Sequence, residues 1–111
     1  MTETETETKP EFTTITLERD NDRSLRFTGK LLAEVRSEEK SGYWCELKLY
    51  VTASDAWVAQ EIGRTIWEGR SDRFKASVCK TDAELIEYLG CGWLAQKLYK
   101  LVNVDCVETI E

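Results

Sequence analysis

Ten consecutive positions from Tyr43 to Thr52, YWCELKLYVT, alternate so that Tyr43, Cys45, Leu47, Leu49 and Val51 share one side of an extended chain. Trp44, Glu46, Lys48, Tyr50 and Thr52 share the other. Alternation with period two predicts a strand with a buried apolar face. The opposite face is unusual, because two large aromatics stand among its charges where a half-buried strand normally carries plainly polar residues. Those aromatics require either a second packing layer or a ligand.

The same period recurs on both sides of this segment. Thr13 to Leu17 reads as a short strand, followed by a turn at Asp20, Asn21 and Asp22. Between Leu25 and Arg36 one face carries Leu25, Phe27, Gly29, Leu31, Ala33 and Val35, which predicts a long strand. A polar loop, Ser37 to Gly42, then joins it to the Tyr43 segment as an antiparallel hairpin. The stretch after Ser54, AWVAQEIGRTIWEG, fits two periods: Val58, Ile62 and Ile66 are spaced by four as well as by two. Its Trp, Val, Ile and Thr content favours a strand, with Gly63 as a bulge, over a helix capped by Ser54. Arg73 to Lys80 alternates again, placing Phe74, Ala76 and Val78 inward.

The period changes after Lys80. Thr81-Asp82-Ala83-Glu84 is a capping box, in which the threonine hydroxyl accepts the Glu84 N–H and the glutamate reaches back. It opens a helix to Leu89 that buries Leu85, Ile86 and Leu89. Gly90-Cys91-Gly92 breaks it, and Trp93 to Val102 forms a second helix with Leu94, Leu98, Leu101 and Val102 on one stripe. A terminal strand over 104–110 is a further expectation. Segregated strand and helix runs predict an α+β fold: an antiparallel meander of about five strands with a C-terminal helical hairpin packed on one face. Residues 1–11, with the tract TETETET, read as an acidic Thr/Glu-rich tail, and 12–111 as a single domain.

Composition narrows the chemistry. A chain of 111 residues can bury a core without staples. Twenty-one acidic against fifteen basic residues give a formal charge of −6, which opposes nonspecific duplex binding. The chain has no histidine, so it has no Ser-His or Cys-His pair and lacks the commonest general base. Cysteines 45, 79, 91 and 106 form no C-x-x-C pair. With no signal-peptide pattern and no membrane-length apolar run, the expected address is the cytoplasm, and the expected state of the cysteines is free thiols. No cofactor or metal is expected.

If helices cover the apolar face, the open face displays Trp44, Tyr50, Trp57 and Trp67, ringed by Lys30, Arg36, Lys48 and other cations. Trp, Tyr and Arg are favoured anchors of protein interfaces, so a non-enzymatic protein-binding or inhibitor module is the leading expectation. Aromatics interleaved with cations also suit a single-stranded nucleic acid, the second expectation. The bland alternative is cross-strand pairing that only stabilises the sheet, at about 0.2 to 1 kcal/mol per pair. A thiol-based redox role for Cys91, lying between two glycines at a helix N-terminus, is a third expectation. In size and acidity the chain is similar to inhibitors made by phages and plasmids, some anti-CRISPR proteins among them. That similarity implies a protein partner and an accessory role on a mobile element.

Overall fold

The structure is a computed structural model that describes residues 12–106. Five strands, β1 (Thr13–Leu17), β2 (Leu25–Arg36), β3 (Tyr43–Thr52), β4 (Trp57–Thr65) and β5 (Arg73–Cys79), precede two helices. These are α1 (Asp82–Leu89) and α2 (Trp93–Val102). The strands form one antiparallel sheet in the order β1-β2-β3-β4-β5, a meander curled into a half-barrel. The α+β expectation therefore holds, and the ambiguous segment after Ser54 is a strand.

The bulge falls in β2, not at Gly63. Register runs unbroken through Gly63, which opposes Cys45 on one side and Arg73 on the other. In β2, by contrast, Leu31 opposes Tyr50 and Ala33 opposes Leu49, so Leu32 is an extra residue. An inserted residue moves everything beyond it to the other face and bends the strand. Phe27 and Leu25 consequently lie on the Tyr50 side, while Ala33 and Val35 lie on the Leu49 side. The six-residue stripe expected on one face of β2 is divided between two.

Each side of the sheet therefore has its own core. On the convex side, Leu47, Leu49, Ala59 and Cys79 are buried against Leu85 of α1 and Ala95, Leu98 and Tyr99 of α2. On the concave side, Leu17 closes over Tyr50, Val58 and Ala76, with Ile15, Leu25 and Phe27 packed around them. The segment after β1 completes the curl: Asp20 N–H donates to the Phe74 carbonyl at 2.8 Å, and Phe74 N–H donates to Asp20 Oδ2 at 3.0 Å. Curling supplies the second packing layer for Tyr50, one of the two aromatics on that face of β3.

Local chemistry sets the turns. Ser41 and Gly42 both have positive φ (55° and 86°), the two-residue hairpin geometry that matches strand twist. A Cβ on Gly42 would strike the Trp67 indole, whose Nε1–H donates to the Ser41 carbonyl at 2.7 Å, so only glycine fits beneath that ring. Thr81 caps α1 by accepting the Glu84 N–H at 3.1 Å, and the Glu84 carboxylate accepts the Lys80 N–H at 2.8 Å, one residue earlier than a standard capping box. In α2 the buried stripe is Ala95, Leu98 and Tyr99; Leu101, expected inward, is exposed because it projects away from the sheet. The expected terminal strand falls mostly outside the described residues, and 104–106 carry no strand pairing.

The cysteines correct a further expectation. Cys91 and Cys106 form a disulfide, with Cα atoms 6.6 Å apart, and tie the turn between the helices to the segment after α2. The same turn is held by Gln96 Nε2, which donates to the Cys91 carbonyl at 2.7 Å. Tyr99 Oη also holds it, donating to the Gly90 carbonyl at 2.6 Å. Cys79 is a buried free thiol whose pKa is pushed up by burial and by the Glu84 charge, which makes it inert. Cys45 is free and exposed.

Candidate functional site

Loops from three hairpins and the first turn of α2 meet at one end of the sheet. They enclose an open cleft of about 1090 Å³. Its convex wall is Tyr43, Cys45, Gly63 and Arg73 with Trp93 and Lys97 of α2, and its concave mouth is Arg36, Trp44, Arg64 and Asp72. Lys40 and Arg70 come from the two flanking loops. Six of the fifteen basic residues but only three of the twenty-one acidic ones line it. An acidic chain thus gathers positive charge at a single place.

A chain of polar and cation–π contacts from β2 through β3 to β4 builds the mouth. The Arg36 guanidinium lies over the Trp44 ring at 4.9 Å, a cation–π contact. The Trp44 indole N–H donates to Glu46 Oε2 at 2.9 Å. Arg64, opposite Trp44 in the register, pairs with Glu46 at 3.2 Å and with Asp72 at 3.0 Å, and Asp72 also accepts the Thr65 N–H at 3.1 Å. On the convex side Trp93 is 61% exposed, and the Lys97 ammonium sits 5.3 Å from its ring, one helical turn along.

Both carboxylates of this network are fixed as anions. Burial pushes the Glu46 carboxyl up, but the indole and guanidinium hydrogen bonds together with the Arg64 and Lys48 charges outweigh it and hold it below the ordinary range. The Asp72 carboxyl is held low by the Arg64 hydrogen bond first and the Thr65 N–H second. A depressed folded-state pKa stabilises above the unfolded value and loses that contribution as pH falls through the folded one. Glu46→Gln should therefore destabilise at pH 7, and its deficit should begin to shrink as pH falls below about 4 and close as pH passes the lowered folded value, checked by urea unfolding at pH 7 and along an acid series.

The sequence-predicted site residues disperse. Trp44 and Arg36 stand together at the mouth, and Lys48 lies beside them, 3.9 Å from Glu34. Tyr50 does not belong to an open face: it is 8% exposed in the concave core, where its hydroxyl donates to buried Gln60 at 3.1 Å. Trp57 opposes Val51 on the convex side, packs against the helix-covered core and donates to Asp82 Oδ1 at 2.8 Å. Lys30 lies by Phe12, towards the opposite end of the sheet. Cys91 holds its sulfur in the disulfide and is no free thiol. Trp93, Lys97, Arg64 and Arg70 were not singled out from the sequence; the one signal for them was the exposed Trp93-Lys97 spacing of four.

Among the described residues no group of His, Cys, Asp or Glu is arranged to hold a metal ion, and no helix is long and apolar enough to cross a membrane. Fold and site define a class, a small α+β half-barrel with a basic, aromatic cleft at one sheet end. Comparison with family models, curated proteins and solved structures gave no match to this chain.

Proposed function

We propose that the chain is a non-enzymatic protein-binding or inhibitor module whose partner docks in the sheet-end cleft. The carrying observation is the meeting there of Trp44, Trp93, Tyr43 and Arg36, the residue types that dominate binding energy at interfaces, in a cleft open to solvent. A non-enzymatic role fits the engaged carboxylates, because Glu46 and Asp72 sit in fixed ion pairs and neither is poised to exchange a proton near neutral pH. The comparison with anti-CRISPR-like accessories of mobile elements rests on size and acidity alone. The Cys91–Cys106 bond favours an oxidising compartment over the cytoplasm expected from the sequence.

Single-stranded nucleic acid is the second reading, favoured by the same concentration of cations. Capture from a nuclease-treated lysate of the native host separates the two. The wild-type chain should retain a protein that the Arg36→Ala, Trp93→Ala double variant, equally folded by circular dichroism, loses. Equal retention by both, or material that disappears on nuclease treatment, would contradict the protein-binding reading.

A further inference from the structure

Building on the reading of the cleft as a binding site, we propose that its ligand is an acidic peptide, an extended and carboxylate-rich segment of the partner protein. The first support is charge. Arg64 is neutralised by Glu46 and Asp72 and serves as scaffold, whereas Arg36, Lys40, Arg70, Arg73 and Lys97 make no ion pair with any described residue. Of the three acids at the cleft, Asp72 is paired with Arg64 and accepts the Thr65 N–H, which leaves Asp20, bonded to the Phe74 N–H, and Glu38 to set against those five cations. Free cations therefore outnumber free anions in the cleft of a chain whose formal charge is −6.

The second support is how the aromatics are used. The protein's own cations lie against one face of each indole in the cleft, Arg36 on Trp44 and Lys97 on Trp93, so each ring already serves to place a positive charge. The Arg36 guanidinium over the Trp44 ring makes no ion pair with a described residue, and its N–H fork matches that of a carboxylate. Indoles that orient cations thus build a carboxylate receptor. Size agrees: about 1090 Å³ is at or above the upper end of small-molecule pockets, which run to roughly 1,000 Å³, and accommodates several residues of extended chain.

Fluorescein-labelled deca-glutamate and deca-thymidylate titrated with the intact chain, followed by anisotropy at about 20 mM and about 200 mM salt, test this directly. The deca-glutamate should bind, should weaken about fivefold or more across that salt range, and should weaken about tenfold or more on Arg70→Glu with Arg73→Glu. Lys30→Gln, towards the opposite end of the sheet, should leave it unchanged. Should the reversed pair fail to fold, Arg70→Gln with Arg73→Gln should weaken it in the same direction. Tighter binding of deca-thymidylate, unchanged binding by the folded cleft variants, or no binding of deca-glutamate at low salt overturns the proposal. A protein captured through the cleft by a chain with no affinity for deca-glutamate would remove the acidic-peptide assignment and leave the binding reading standing.

Discussion

Tyr50→Ala is expected to lower the unfolding free energy by about 3 to 5 kcal/mol, the cost of removing a buried aromatic from a closed core. Tyr50 is packed by Leu17, Val58 and Ala76, and the Phe27 ring meets it edge-on with centroids 5.5 Å apart. Truncation empties that space and leaves Gln60, itself 6% exposed, without its hydroxyl partner. Trp44→Ala provides the contrast. Trp44 sits at the mouth, and its loss removes one indole hydrogen bond and one cation–π contact, about 1 to 2 kcal/mol in all. Urea unfolding of the two variants side by side checks the assignment. Equal losses would mean that Tyr50 stands on an open surface after all.

Removing the disulfide should have the second largest effect. Cys91 and Cys106 are separated by 15 residues, and a loop of that length contributes about 3 kcal/mol through restriction of the unfolded chain. Cys91→Ala with Cys106→Ala should lose that amount by urea unfolding. The folded α2 should stay docked, because Gln96 and Tyr99 still hold the preceding turn and Leu98 stays buried in the convex core. Titration of accessible thiols in unfolded, unreduced protein should count two, Cys45 and Cys79. Four would return all the cysteines to the free state expected from composition.

Strand positions were legible because period two, turn residues and glycine punctuate this chain clearly. The bounds of β1, β2 and β3 follow from alternation alone. Facing was not legible. One extra residue at Leu32 reverses the second half of β2, and nothing in Leu31-Leu32-Ala33 distinguishes a bulge from continuous pleating. Alternation also cannot tell a two-sided core from an open face, so Tyr50 read as an outward aromatic although the curl of the sheet encloses it. Trp57 went astray for a related reason: its placement beside Trp44 needed the β3–β4 register, which sets it opposite Val51.

The cleft was legible only in part. Trp44, Arg36 and Arg73 lie on strands whose pattern marked them, but Arg70, Trp93 and Lys97 arrive from a loop and a helix far apart in sequence. Their meeting depends on tertiary closure. The Cys91–Cys106 bond is hidden in the same way, since a spacing of 15 matches no local cysteine motif.

The four tryptophans occupy distinct environments, which makes their indole N–H signals a reporter of where binding occurs. Trp44 and Trp93 line the cleft, Trp67 clamps the β2–β3 turn beside it, and Trp57 is bonded to Asp82 on the helix-covered side. Titrating the nitrogen-15-labelled chain with deca-glutamate and recording these four signals tests the central claim that the sheet-end cleft is the binding site. Movement of Trp44 and Trp93 with Trp57 stationary is the predicted result; movement of Trp57 alone, or of none of the four, would contradict it.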